Sequence, residues 1–289
     1  MKFVFYFAEK GYEMALAPAM IAGAAACGDE IVLKPNAEYR GPEFDGGIIC
    51  GVTKREILWD HKAKGVPLIY EDKGYTRSRT QWKGLSLPTW WRMCWNAVHP
   101  TDYLMELDAP DDRLRRAGFG VSSLKSNPDG HIVLLGSSQK FHHTEGLPHP
   151  TEWATDIIRQ IENLAPGRMC IYRPKPSWAA AERIEGAEFH HGQKTPVSDD
   201  LAGAFCSITY GSIACVDSIL AGVPCIVLGN GVARPVSSRS MTCINAPLWS
   251  PPERLRQWLC NLSFCQFTPP EIESGFAWST LREQMRYAF

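Results

Sequence analysis

Phe205-Cys-Ser-Ile-Thr-Tyr-Gly-Ser-Ile-Ala-Cys-Val-Asp-Ser-Ile-Leu-Ala-Gly-Val-Pro-Cys-Ile-Val-Leu228 reads as strand, tight turn, helix and strand with almost nothing left over. The turn of Thr209, Tyr210, Gly211 and Ser212 opens directly into the helix. Such a turn aims backbone N–H groups and the positive end of the helix dipole at whatever lies above it, which makes it an anion site. The helix is expected over residues 213–221, closed by Gly222 with Pro224 two residues on. Cys225-Ile-Val-Leu228 then has the length and β-branched character of a strand. The whole is one αβ step of a parallel sheet. The bland alternative is that any α/β domain contains such steps, with Gly211 only allowing a sharp turn.

Tyr210-Gly-Ser212 followed by Asp217-Ser-Ile-Leu-Ala-Gly-Val-Pro-Cys-Ile226 resembles the donor-binding segment of GT-B glycosyltransferases. The resemblance implies that Tyr210, Gly211 and Ser212 hold the diphosphate of a nucleotide-sugar, a UDP-sugar foremost, used as co-substrate with no cofactor required. It also implies that Asp217 contacts the ribose, with Asp here where Glu is usual.

The rest of the chain alternates in the same way. A strand over residues 2–7, a loop through Glu9, Lys10 and Gly11 and a helix over residues 12–27 lead to the apolar segments 31–33 and 47–50. Thr53 with Glu56 three residues later forms a capping box for a helix to about Lys64, and a strand follows over residues 67–70. Alternation of this kind argues for a parallel sheet with right-handed crossovers. The pattern breaks between residues 71 and 116, and the turn cluster Ser126-Asn-Pro-Asp-Gly130 marks a boundary. Beyond it come a strand over 131–135, a loop over 136–150, a helix over 152–164, a strand over 169–172 and the opening motif; helices are expected around 252–260 and 270–287. Two such halves resemble the GT-B layout, α/β with two Rossmann-like domains facing across a cleft. The expected division is residues 1–128 on the acceptor side, 129–270 on the donor side, and a C-terminal helix over 271–289 that crosses back to the first domain.

A chain of 289 residues that is 45% hydrophobic is long enough for two cores. A net charge of −1 gives no global field to announce nucleic acid or membrane. The ten cysteines are scattered with no Cys-x-x-Cys pair, so they read as small buried hydrophobes in a reducing compartment rather than a disulfide frame or zinc site. No signal peptide or membrane span is expected, which points to a soluble cytoplasmic protein, in the host cytoplasm if phage-encoded, as a monomer or small homo-oligomer.

In an open parallel sheet ligands sit at the carboxyl ends of strands. Three loops are therefore expected to converge: Gly136-Ser137-Ser138-Gln-Lys140 with its hydroxyls, Arg173-Pro-Lys175-Pro with two cations, and the turn at Tyr210 with its helix start. The other reading of Arg173 and Lys175 is a solvated loop. Arg-Pro-Lys-Pro also resembles the Arg-Pro-His-Pro loop of capsule-polysaccharide transferases, Lys175 keeping a cation but losing the imidazole. His142-His143 and His190-His191 are adjacent pairs that do not face one ligand from a helix, and no Asp-x-Asp is present, so no metal site is expected.

Inverting glycosyl transfer needs a base for the acceptor hydroxyl and cations or dipoles for the leaving diphosphate. Asp72, directly after a strand, leads as base, with Glu13 and His99 as others; the bland reading of Asp72 is a surface carboxylate pairing with Lys73 or Arg77. Lys73, Tyr75, Arg77, Arg79, Trp90, Trp91 and Arg92 combine cations with aromatics, as single-strand or flipped-base binders do, although the tryptophans equally suit a core or a sugar platform. The Asp72-Lys-Gly-Tyr75 motif and this Trp/Arg region look similar to phage-type proteins, among which DNA glycosyltransferases occur. The resemblance implies hexosyl transfer to a hydroxymethylpyrimidine in DNA. The alternatives are a glycan or small-molecule acceptor, and a non-catalytic nucleotide or nucleic-acid binding protein.

Overall fold

A computed structural model describes residues 1–8, 12–51, 55–76, 78–191 and 194–289. The chain divides into two units, Met1–Gly118 with Cys260–Phe289, and Phe119–Leu259.

The first unit opens with β1 (Lys2–Phe7), α1 (Ala17–Ala26), β2 (Glu30–Pro35), β3 (Gly46–Cys50), α2 (Arg55–Lys64) and β4 (Leu68–Lys73). Within it, β1 pairs with β2 and β3, and β3 with β4, all parallel. β1 is buried from Phe3 to Tyr6, the mark of a strand covered on both faces. The helix expected over 12–27 is split: residues Tyr12–Ala15 form a 3-10 turn and α1 begins at Ala17, one residue before a proline in its first turn. The cap expected of Thr53 lies outside the described residues.

The parallel pattern then ends. β5 (Arg79–Trp82) and β6 (Leu85–Pro88) form a separate two-stranded ribbon, and β7 (Trp91–Trp95) joins β4 antiparallel, Asp72 opposite Arg92 and Lys73 opposite Trp91. This pairing carries β4 three residues beyond the expected end at Tyr70, so Asp72 lies inside a strand rather than in the loop after it. The sheet is consequently mixed, not purely parallel.

The second unit follows with β8 (Ile132–Leu135), α3 (Gln139–Thr144), α4 (Pro150–Leu164), β9 (Cys170–Arg173), β10 (Glu188–Phe189), α5 (Val197–Leu201), β11 (Cys206–Thr209), α6 (Ala214–Ala221) and β12 (Cys225–Val227). Its strands are all parallel, in the order β10-β9-β8-β11-β12. Ile132 and Leu134 face a core built with Trp153, Ile157, Ile158 and Ile161 of α4, and Val133 and Leu135 face Leu201 and Ala214 on the other side. Gly222 ends α6 at φ 80°, a left-handed conformation that a side chain resists, and its carbonyl accepts from the Lys125 N–H at 2.7 Å. The expected loop over 136–150 contains α3, whose six residues are too few to register as a helical period.

α7 (Pro252–Ser263) leads back to the first unit, where β13 (Gln266–Phe267) pairs antiparallel with β7 and is followed by α8 (Pro269–Glu273) and α9 (Phe276–Ala288). One helix was expected over 270–287; Gly275 at φ 86° breaks it in two. The C-terminal helix packs on the first unit: Trp278 donates to Asp29 at 2.6 Å, and Trp95 donates to the Leu281 carbonyl at 2.8 Å. Gly23 of α1 lies so close to α8 that a Cβ there would run into the Ile272 carbonyl oxygen.

Candidate functional site

The chain enters the second sheet at β8, builds outward through β9 and β10, and returns to the other side of β8 with β11 and β12. The strand order therefore reverses between β8 and β11, and the crevice at their carboxyl ends is where an open α/β sheet takes its ligand. Thr209, fully buried at the end of β11, ties the two strand ends together. Its hydroxyl donates to the Leu135 carbonyl at 2.8 Å and accepts from the Ser212 N–H at 3.1 Å. That pair of bonds fixes the turn that opens α6.

Around this turn the loops are close-packed. A Cβ on Gly211 would stand 2.9 Å from the Phe141 ring of α3 and 3.4 Å from the Gly231 nitrogen, and one on Gly231 would stand 3.1 Å from the Gly211 Cα. Phe141 meets Tyr210 edge to face at 6.3 Å, and the Tyr210 ring fills the space that a side chain on Gly229 would need. Burial pushes the Tyr210 hydroxyl up in pKa, the Glu145 carboxylate adds to this, and the Arg234 guanidinium pulls the other way. Gly136 donates to the Arg173 carbonyl at 2.8 Å, which brings the loop after β8 against the end of β9. Ser137 is buried there, and Ser138 caps α3, its hydroxyl accepting from the Phe141 N–H at 3.4 Å. Ser212 is half-buried with its hydroxyl accepting from the Ala214 N–H at 3.4 Å, and Asp217 is half-buried in the first turn of α6.

Arg173 is in a different position from its sequence neighbour. It is the last residue of β9, 5% exposed, and its fork is filled from within the unit. It pairs with the buried carboxylate of Asp200 and donates to the Thr195 hydroxyl at 3.2 Å and the Thr195 carbonyl at 2.6 Å. The second Asp200 oxygen meets His190 Nδ1 at 2.6 Å. Lys175 is exposed on the loop beyond. The signal for Asp200 in the sequence was slight, an acid on a five-residue helix that no period reveals.

The loop after β12 also reaches this turn, and nothing in its composition announced it. Arg234 begins a 3-10 turn there, and its N–H bonds the Gly231 carbonyl at 3.0 Å. A run of Gly, Val, Ala and Arg has no motif; the contact of Gly231 with Gly211 and the Gly229 N–H bond to the Tyr210 carbonyl at 2.8 Å place it beside the start of α6.

In the first unit, Asp72 is bonded to Arg92 at 2.9 Å, to the Tyr70 hydroxyl at 3.0 Å and to the Lys73 N–H at 2.7 Å. Tyr75, Trp90, Trp91 and Arg92 are all buried, so the two tryptophans pack inside the unit instead of forming an exposed stacking platform. Lys73 and Arg79 are exposed, Arg79 donating to Ser86 across the ribbon; Arg77 lies outside the described residues. His99 is buried beside the Tyr75 hydroxyl and Arg92, each at 3.4 Å, and lines a cavity of about 310 Å³ with His61, Trp95, Asn96 and Tyr103. Asn96 accepts from the Leu68 N–H at 2.9 Å, so this cavity adjoins the amino end of β4, the opposite end from that used by ligands of parallel sheets. Glu13 falls in the 3-10 turn, with its side chain outside the described set. Among the described residues no group of His, Cys, Asp and Glu is arranged to hold a metal ion, and no helix is long and apolar enough to cross a membrane.

No protein-family model and no curated protein matches the sequence. Two solved structures from Thermosulfurimonas dismutans are similar in fold. The KpsC beta Kdo 2,4 transferase has a TM-score of 0.53 and 14% identity, over 88% of this chain and 89% of that one. The KpsC beta Kdo 2,7 transferase has a TM-score of 0.51 and 10% identity, over 98% of this chain and 99% of that one. The class that this likeness defines is architectural. The chain has a GT-B-like fold of two α/β lobes with a C-terminal helix.

Proposed function

We propose that the chain is a nucleotide-sugar-dependent glycosyltransferase that passes its sugar to a hydroxyl of a glycan or small-molecule acceptor. The observation that carries this reading is the turn at Tyr210, Gly211 and Ser212, fixed by Thr209 at the strand reversal and leading into α6. Backbone N–H groups and the helix dipole there suit a phosphate that gains charge as the glycosidic bond breaks, and Gly136, Ser137 and Ser138, on the loop that leads into α3, are proposed to line the same site. The acceptor oxygen bonds the anomeric carbon, the bond to the phosphate oxygen breaks, and the acceptor proton passes to a base. Asp72 is the carboxylate proposed as that base, and Asp217 as the ribose contact. No resident metal is part of the proposal. The two solved structures of similar fold carry the names of sugar transferases, which supports the same class of reaction.

Hydroxymethylated DNA is the less favoured acceptor. The reading of Trp90 and Trp91 as base-stacking groups needs exposed rings, and both are buried. The test is a panel of nucleoside-diphosphate and nucleoside-monophosphate sugars, offered with oligosaccharides, simple alcohols, and plain or hydroxymethylated DNA, with products weighed by mass spectrometry and EDTA as a parallel arm. Sugar added to a carbohydrate or alcohol is the expected result. Sugar on the DNA alone would restore the nucleic-acid reading, and donor binding with no transfer or hydrolysis would make the chain a binding protein.

A further inference from the structure

Resting on the donor-site reading above, we infer that Arg234, on the turn after β12, is the guanidinium that holds a phosphoryl oxygen of the sugar nucleotide. Strand-end order gives that role to Arg173. Arg173, however, is 5% exposed and spends three of its five N–H donors on Asp200 and both oxygens of Thr195, so it is held within the unit as a structural cation.

Three contacts bring the turn of Arg234 to the start of α6: Gly231 abuts Gly211, the Gly229 N–H bonds the Tyr210 carbonyl at 2.8 Å, and the Ala233 N–H bonds the Cys215 thiol. The Arg234 charge is also felt at the Tyr210 hydroxyl. The turn is also held from behind. Trp258 of α7 donates to the Val232 carbonyl at 3.0 Å, and Arg254 donates to the Pro235 carbonyl through Nη2 at 2.9 Å and Nε at 3.3 Å. Arg234 is thus carried by a turn fastened on both sides, half-buried, and its Nε is enclosed with no hydrogen-bond partner among the described residues. A buried N–H without an acceptor is costly, and a charged donor more so. A phosphoryl group beside the guanidinium offsets that cost through its charge, and two of its oxygens match the Nη fork.

The experiment compares wild type, Arg234→Gln and Arg234→Lys by calorimetric titration with the sugar nucleotide found in the panel, and with its parent nucleoside, which has no phosphate. A hydrogen bond to a charged group is worth about 1.5–3 kcal/mol, so Arg234→Gln should weaken the sugar nucleotide about tenfold to a hundredfold. Nucleoside affinity should not move, and Arg234→Lys should recover part of the loss. In wild type, saturating sugar nucleotide should shield Arg234 from phenylglyoxal, read by peptide mass spectrometry; this arm needs no variant to fold. Equal affinity of wild type and Arg234→Gln, or equal labelling with and without the sugar nucleotide, would overturn the assignment of Arg234 while leaving the donor site standing. Failure of every sugar nucleotide to bind wild type would overturn the donor site and this inference with it.

Discussion

Replacing Asp200 by Asn tests whether Arg173 belongs to the frame of the site. Arg173 is 5% exposed and Asp200 3% exposed, so the substitution strands a positive charge where water cannot reach it. Breaking a buried pair from one side costs about 3–5 kcal/mol. His190, the other partner of Asp200, has a side chain 34% exposed and is rehydrated cheaply, so most of the cost falls on Arg173. For a unit of this size each kcal/mol moves the melting temperature by about 2–4 °C, which predicts a fall of about 6–20 °C in the transition that reports the second unit. The double variant Arg173→Met with Asp200→Leu removes both charges and should return most of that loss, since an apolar pair of similar volume often matches a buried ion pair. Differential scanning calorimetry reads the stability, and titration with sugar nucleotide reads the site. The double variant should keep the wild type's donor affinity. A melting temperature unchanged in Asp200→Asn, or a double variant that folds but no longer binds donor, would refute the argument that Arg173 is a structural cation.

Ser212→Asp should abolish donor binding by placing a carboxylate at the start of α6, while leaving the melting temperature level or slightly raised, because an acid at a helix N-terminus stabilises the helix by about 0.3–1 kcal/mol. Unchanged donor affinity in this variant would move the donor elsewhere. Asp72→Asn should lower kcat far more than it weakens donor binding, as a base acts on the transition state, and equal turnover would remove Asp72 from the chemistry. Gly23→Ala forces α1 away from the Ile272 carbonyl and should cost about 1–3 kcal/mol as an overpacked contact, checked by urea denaturation. Stability equal to wild type would mean that α8 shifts freely.

Much of the architecture was legible because its signals are local. The Gly222 and Pro224 pair ended α6 where the structure ends it, and the strand-sized apolar runs of the second unit became β8, β9, β11 and β12. What escaped was short or was decided by distant partners. β13 has two residues, and α3 and α5 are little more than a turn each. Trp91–Trp95 is buried at every position, so it shows no alternation, and only its pairing with β4 reveals it as a strand. The same pairing moved Asp72 into β4. At the candidate site the turn of Tyr210 was readable as small residues before a helix, whereas the locking of Arg173 by Asp200 and the approach of the Arg234 turn, through Gly231 against Gly211, depend on groups brought from separate stretches of sequence.

The first unit is made of two separated stretches, with the second unit spliced between them. A ribosome that has released residues 1–259 has delivered every part of the second unit, yet the first still lacks β13, α8 and α9. Until those arrive, β7 is a bare sheet edge, and Asp29 waits for Trp278. Maturation therefore runs from the middle outward. Of the two units, the one whose synthesis starts earlier is completed later, and a nascent chain stalled before residue 260 leaves an adhesive strand for chaperones to cover.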